Sequence, residues 1–184
     1  MKTALLLIDV QKGFEHPGWG TRNNPQAESN MESLLSAWRK HELPVIHVRH
    51  ASLEEDSVLR SELPGYAYKE ETQPLPTEKQ FSKNVNSAFI GTGLEQYLND
   101  LGYTDLVIVG LTTDHCISTT TRMASNLGFK VTLVSDATAT FDRVGHDGTV
   151  YSADEMHRVN LASLSGEFCE VRASEELLNE IEGE

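Results

Sequence analysis

Runs of apolar residues broken by polar turns recur along this chain, and they alternate with stripes of helical period. From Leu106 to Val109, between Asp105 and Gly110, no polar position interrupts the run, which is the pattern of a strand covered on both faces in a parallel sheet. The run then breaks into Leu111-Thr112-Thr113-Asp114-His115-Cys116-Ile117 and reads as a helix up to Gly128. Thr3 to Ile8 is a first buried strand that stops at Asp9. Met31, Leu34, Leu35 and Trp38 fall at i, i+3, i+4, i+7 of a helix that Asn24 is expected to cap, with Pro25 at its first position. Val45 to Arg49 reads as a second strand and Gln80 to Asn84 as a third. Leu94, Tyr97, Leu98 and Leu101 repeat the helical stripe and end at Gly102, a C-cap residue. Lys130 to Ser135 is a fifth strand ending at Asp136, and Ser152-Ala153-Asp154-Glu155 has capping-box spacing at the head of a helix toward Ser165. Phe168 to Arg172 is a last strand carrying Cys169, after which Ser174 caps a terminal acidic helix. Strands alternating with helices predict an α/β fold with a doubly wound parallel sheet and right-handed crossovers.

The chain has 184 residues and no Pro/Gly/Ser-rich linker, so it is read as one domain over 1–184. His50 to Thr77 stands apart: acidic, broken by Pro64, Pro74 and Pro76, and without sustained periodicity. Loops of that length in a compact domain are often functional, and both a lid and an interface fit this one. Lys plus Arg number 15 against 28 for Asp plus Glu, a formal charge of -13 that repels nucleic acid and anionic membranes. No apolar run approaches the length of about 18 residues needed to cross a bilayer, and Met1 to Ile8 is too short for a signal segment, so a cytoplasmic location is expected. Cys116 and Cys169 alone make neither a disulfide framework nor a metal cluster.

In doubly wound sheets ligands bind beyond the carboxyl ends of the strands, where strand order reverses. Asp9, Lys83 and Cys116 each follow or end a predicted strand, so all three can converge there. Cys116 at the start of a helix meets free backbone N–H groups and the positive end of the dipole, which favour thiolate. A cation adds to that effect, while a carboxylate can take the thiol proton and pass it on. Each residue alone is better explained as core filling, a cap or a surface charge; Cys169 fits core filling. The histidines form no metal-binding pattern, and Gly91-Thr92-Gly93 lacks the third glycine of a dinucleotide fingerprint.

Three blocks in order change that balance: Leu7-Ile8-Asp9-Val10-Gln11; Ser82-Lys83 followed by Ser87-Ala88-Phe89-Ile90-Gly91-Thr92-Gly93-Leu94; and Gly110 through Cys116 to Thr120. Together they resemble the isochorismatase-like cysteine hydrolases, which include nicotinamidases and carbamoylsarcosine amidohydrolases, over nearly the whole chain from Ala4 to about Val171. The resemblance implies a six-stranded parallel sheet in the order 3-2-1-4-5-6, with helices on both faces. It implies a catalytic triad of Asp9, Lys83 and Cys116, a cis peptide between Leu111 and Thr112, and an oxyanion hole made by the backbone amides of Thr112 and Cys116. It also implies a homo-oligomer, a dimer or larger. Gln11, Phe14, Trp19, Phe89 and His115 are the expected substrate-binding residues, Gln11 either bonding the substrate or bracing Asp9.

Two departures narrow the expectation. Nicotinamidases carry a metal-binding Asp-x-His after the second strand, whereas this chain reads Val48-Arg49-His50, so no metal and no other cofactor is expected. Family members that cleave the vinyl ether of isochorismate often lack the cysteine, so Cys116 favours acyl chemistry on a small amide, imide or ureido compound. The alternatives are isochorismatase-type ether hydrolysis, for which Arg22 and Arg49 are the nearest cations by sequence, and a non-catalytic oligomeric binding protein of the same fold.

Overall fold

The strands of the computed structural model, which describes residues 2–183, line up in one parallel sheet whose centre is the most apolar part of the chain. In chain order the elements are β1 (Thr3–Ile8), α1 (Ala27–Lys40), β2 (Val45–His50), β3 (Lys79–Lys83), α2 (Leu94–Leu101), β4 (Asp105–Leu111), α3 (Ser118–Asn126), β5 (Lys130–Ala139), α4 (Ala153–Leu164), β6 (Glu170–Arg172) and α5 (Ser174–Glu182). The sheet runs β3-β2-β1-β4-β5-β6, so strand order reverses between β1 and β4. Arg143–Val144 and Val150–Tyr151 form a small separate hairpin.

Alternate residues of the central strands face opposite sides, as a pleated strand requires. Ala4, Leu6 and Ile8 with Ile108 pack against Leu94 and Leu98 of α2 and Ala124 of α3, and Cys116 belongs to this layer. Leu5 and Leu7 with Val107 and Val109 pack against Met31, Leu34, Leu35 and Trp38 of α1 and Leu177 of α5. Gly110 in β4 has φ 129, and a Cβ there would lie 2.0 Å from the Ile8 carbonyl oxygen. Only glycine lets β1 and β4 come this close at the reversal.

Several boundaries differ from the sequence expectation for local reasons. Asn24 does not cap α1: it is left-handed at φ 43, and its amide donates to the Ser135 and Thr138 carbonyls at 3.1 and 2.7 Å, stitching the preceding loop to β5. β5 continues past Asp136, because a register shift opposite Ile108 and Gly110 absorbs the extra residues before Thr138 and Ala139 resume pairing. Cys169 lies outside β6; its N–H returns to the Leu164 carbonyl at 3.2 Å as the chain leaves α4. Ser174 lies inside α5, with its N–H and hydroxyl both donating to the Asp136 carboxylate at 2.8 and 2.7 Å. Ala173 is the N-cap, and its N–H donates to Glu176.

The excursion between β2 and β3 contains two short 3-10 turns, Pro64–Tyr66 and Glu70–Thr72. It is tied down by polar contacts. Tyr68 pairs with Gln11, and the Arg49 guanidinium stacks on the rings of Tyr66 and Tyr68, 4.0 and 4.8 Å from their centres. Buried Lys69 donates to Glu28 of α1 at 2.7 Å, and Glu28 also receives both arms of Arg22 at 2.7 and 2.6 Å. No helix among the described residues is long and apolar enough to cross a membrane.

Candidate active site

Three elements meet at the strand-order reversal. β1 ends one residue before Asp9, β3 ends at Lys83, and β4 gives way to a single π-helical turn, Thr113–Ile117, that carries Cys116. The N–H groups of His115 and Ile117 both return to the Thr112 carbonyl, at 3.1 and 3.2 Å, and the Leu111–Thr112 peptide is cis. Asp9 leaves β1 in the left-handed region at φ 55, which a short polar side chain tolerates better than most.

The three side chains touch. Lys83 Nζ lies 2.6 Å from Asp9 Oδ2 and 3.3 Å from Cys116 Sγ. Asp9 is 0% exposed, Lys83 1% and Cys116 7%. Asp9 Oδ1 is buried without a partner among the described residues. Two groups that sequence reasoning missed complete the cluster. Lys83 Nζ is 3.1 Å from His50 Nδ1, and the amide of exposed Asn86 reaches Cys116 Sγ at 3.5 Å. His50 was legible only after the strand order, because it pairs in register with Lys83 across β2 and β3. Nothing in the residue type or spacing of Asn86 pointed to it.

The cluster holds two acids and one cation, so a neutral arrangement keeps one proton between Asp9 and Cys116. Burial foremost, and then the Asp9 charge, push the Cys116 thiol up to about 12 against the opposing pull of Lys83. This reverses the sequence expectation of a thiolate favoured by a helix start: the sulfur lies on the buried side of the π turn, beside a carboxylate. The resting site therefore holds a thiol next to an Asp9–Lys83 ion pair. Burial first, and then the Lys83 charge, lower His50 below the usual histidine range, so its ring is neutral.

Ligand atoms of Asp9, His50 and Cys116 lie within 4.8 Å of one another, a donor set suited to a transition metal. The Lys83 ammonium bonds all three, so it already supplies a cation at the centre of that set.

The remaining predicted residues have diverse surroundings. Gln11 is fully buried: its carbonyl oxygen accepts from the His50 N–H at 2.8 Å, and its amide donates to the carbonyls of His50 and Tyr66 at 3.0 and 3.2 Å. Its side chain is committed to bracing β2 and the excursion, which leaves no polar end for a substrate. Phe14 and Trp19 are tilted against each other and both stack on Phe141, with ring centres 5.0 to 6.3 Å apart. Phe89 is buried against Phe129 in the layer that includes Cys116. The His115 side chain is 55% exposed, beside Asp114.

The isochorismatase domain model matches residues 3–176. The uncharacterized isochorismatase family protein YrdC of Bacillus subtilis (strain 168) is 44% identical over 179 residues, spanning 97% of this chain and 96% of that protein. Streptothricin hydrolase of Streptomyces noursei is 32% identical over 142 residues, 76% of this chain and 55% of that protein. The crystal structure of a hydrolase of the isochorismatase family from Chromobacterium violaceum superposes with a TM-score of 0.96 at 46% identity, covering 100% of this chain and 95% of that one. With the sheet order and a match over nearly the full chain, these likenesses make the protein a member of the isochorismatase family of hydrolases.

Proposed function

We propose that this protein is a cysteine-dependent hydrolase that cleaves a C–N bond in a small amide, imide or ureido compound through a thioester. The observation that carries the reading is the buried Lys83 ammonium bonded at once to Asp9 and to Cys116 Sγ. A core needs no such arrangement, because burying an ion pair is costly unless geometry repays it. Asp9 takes the thiol proton as Sγ attacks the substrate carbonyl carbon. The developing oxyanion receives the N–H groups of Thr112 and Cys116; one such donor typically lowers a barrier by about 2.7 to 4 kcal/mol. The C–N bond then breaks, and the proton held by Asp9 passes to the departing nitrogen. Asp9 next takes a proton from water as it attacks the thioester, and collapse restores the thiol and releases the acid. Lys83 keeps the site's negative charge balanced throughout.

Streptothricin hydrolase among the relatives supports hydrolysis as the reaction class. Isochorismatase-type ether cleavage is less well supported, because an anionic substrate needs a cation at the site. Arg22 is paired with Glu28, and Arg49, whose guanidinium lies over the Tyr66 and Tyr68 rings, has no ion pair or hydrogen bond to Asp9, Lys83 or Cys116 among the described residues. A purely binding role leaves the buried Asp–Lys–Cys contact without a purpose. The reading extends to a cytoplasmic homo-oligomer whose two free cysteines stay reduced.

A panel of small amides, imides and ureido compounds, followed by intact-protein mass spectrometry after rapid acid quench, tests the chemistry. The expected result is an acyl adduct on Cys116 and turnover that vanishes in Cys116→Ala and Asp9→Asn. Undiminished turnover by Cys116→Ala on a compound the wild type hydrolyses would rule the proposal out.

A further inference from the structure

An ammonium has three N–H donors and no acceptor. In Lys83 two of them go to Asp9 Oδ2 and Cys116 Sγ, and the third meets His50 Nδ1 at 3.1 Å. The Lys83 side chain has no exposure, so no solvent replaces a missing acceptor. Nδ1 can receive that bond only without a hydrogen of its own, which places the hydrogen of the neutral ring on Nε2. The ring is also held from its backbone. Gln11, two residues after Asp9, accepts from the His50 N–H at 2.8 Å and donates to the His50 carbonyl at 3.0 Å. On the other side, the pairing of β2 with β3 sets His50 beside Lys83.

We propose that His50 is a positioning residue for the reaction: its Nδ1 anchors the third N–H of Lys83, so that the other two point at Asp9 and Cys116. This rests on the cysteine-hydrolase reading above. Asp9 attracts the ammonium more strongly than the thiol does. With His50 in place, the ammonium is held at a point from which it also reaches the sulfur. Without it, the ammonium tilts toward the carboxylate, the donor to Sγ is lost, and thiolate forms less readily.

Iodoacetamide alkylation of Cys116, followed by mass spectrometry at a fixed mildly alkaline pH, reads this without a known substrate. Four variants are compared with wild type: Lys83→Met, His50→Leu, His50→Asn and His50→Gln. Asn places a carbonyl oxygen near the position of Nδ1, whereas Gln reaches toward that of Nε2. The expected result is a loss of about tenfold or more in His50→Leu, the scale of one hydrogen bond to a charged group. His50→Asn recovers most of the rate and His50→Gln does not. Wild-type reactivity in His50→Leu would overturn the proposal if Lys83→Met is slow. Rescue by Gln rather than Asn would overturn it as well, since Nε2 would then be the working atom. Equal losses in all three His50 variants would also overturn it, because an acceptor at the Nδ1 position would then make no difference. If His50→Leu fails to fold, as judged by circular dichroism, the Asn and Gln pair decides alone. An unchanged rate in Lys83→Met would instead count against the cysteine-hydrolase reading itself.

Discussion

Asp9 Oδ2 and Lys83 Nζ lie 2.6 Å apart with neither side chain exposed to solvent. Removing one member of such a pair strands the other's charge in the interior, at a cost of about 3–5 kcal/mol. Asp9→Asn and Lys83→Met should each lose stability on that scale, and the double variant should lose much less than their sum. Urea unfolding of the four proteins at neutral pH measures the coupling. Additive losses would mean that the pair contributes nothing as a pair.

The raised Cys116 thiol makes a prediction at alkaline pH. An unfolded cysteine titrates near 9, whereas the folded thiol holds its proton to about 12. Between those values the unfolded state binds fewer protons, so stability falls as pH rises, by at most about 1.4 kcal/mol per pH unit for this group. Cys169, which burial raises to about 11, adds to the slope over the lower part of that range. Unfolding free energies between pH 8.5 and 10.5 should decline more gently in Cys116→Ala than in wild type. Parallel slopes would contradict the burial of an uncharged thiol.

The acid side runs the other way. Burial foremost lowers His47, His50 and His157 below their ordinary value of 6.5, so each is neutral when folded. As pH falls through 6.5 the unfolded chain takes up protons that the folded chain refuses, and stability drops with decreasing pH. Glu28 extends the loss below 4.5: its burial, which raises it, is outweighed by Arg22 and Lys69, which lower it. Urea midpoints should fall from pH 7 to pH 5, and His157→Gln should flatten part of that fall. A midpoint constant over this range would be incompatible with three neutral histidines.

Gly110 offers a purely steric prediction. At φ 129, with the Ile8 carbonyl oxygen 2.0 Å from where a Cβ would sit, alanine cannot be accommodated without separating β1 from β4. Gly110→Ala should cost more than the common range of about 0.5–3 kcal/mol for point mutants, or prevent soluble expression. Chemical denaturation settles it, and a near-neutral effect would mean that the strands can part.

What the sequence made readable follows from how each feature is encoded. β1 and β4 are covered on both faces and so carry uninterrupted apolar runs; α2 carries a clean stripe with a glycine stop. The failures sit where side chains serve distant partners. Asn24 has the composition of a cap but spends its amide on β5, and the pairing of β5 resumes after a bulge that no residue type announces. At the site, Asp9, Lys83 and Cys116 lie in motif blocks, so all three were identifiable. His50 and Asn86 approach only through strand register and a loop turn. The state of the thiol is not legible at a helix start, because burial and the neighbouring carboxylate, which raise it, are tertiary properties.

The contacts under the excursion bear on engineering. Glu28 answers both Arg22, from the loop after β1, and Lys69, from the segment between β2 and β3, while Gly65 of that segment passes so close to Gly13 that a Cβ on Gly65 would lie 2.9 Å from the Gly13 Cα. Grafting only one of these two segments from a relative would leave a buried charge unanswered and a backbone crossing unmatched. Anyone recombining family members to alter selectivity should exchange both segments as a single cassette, together with the first turn of α1, and leave the sheet and its Asp–Lys–Cys cluster as the constant chassis.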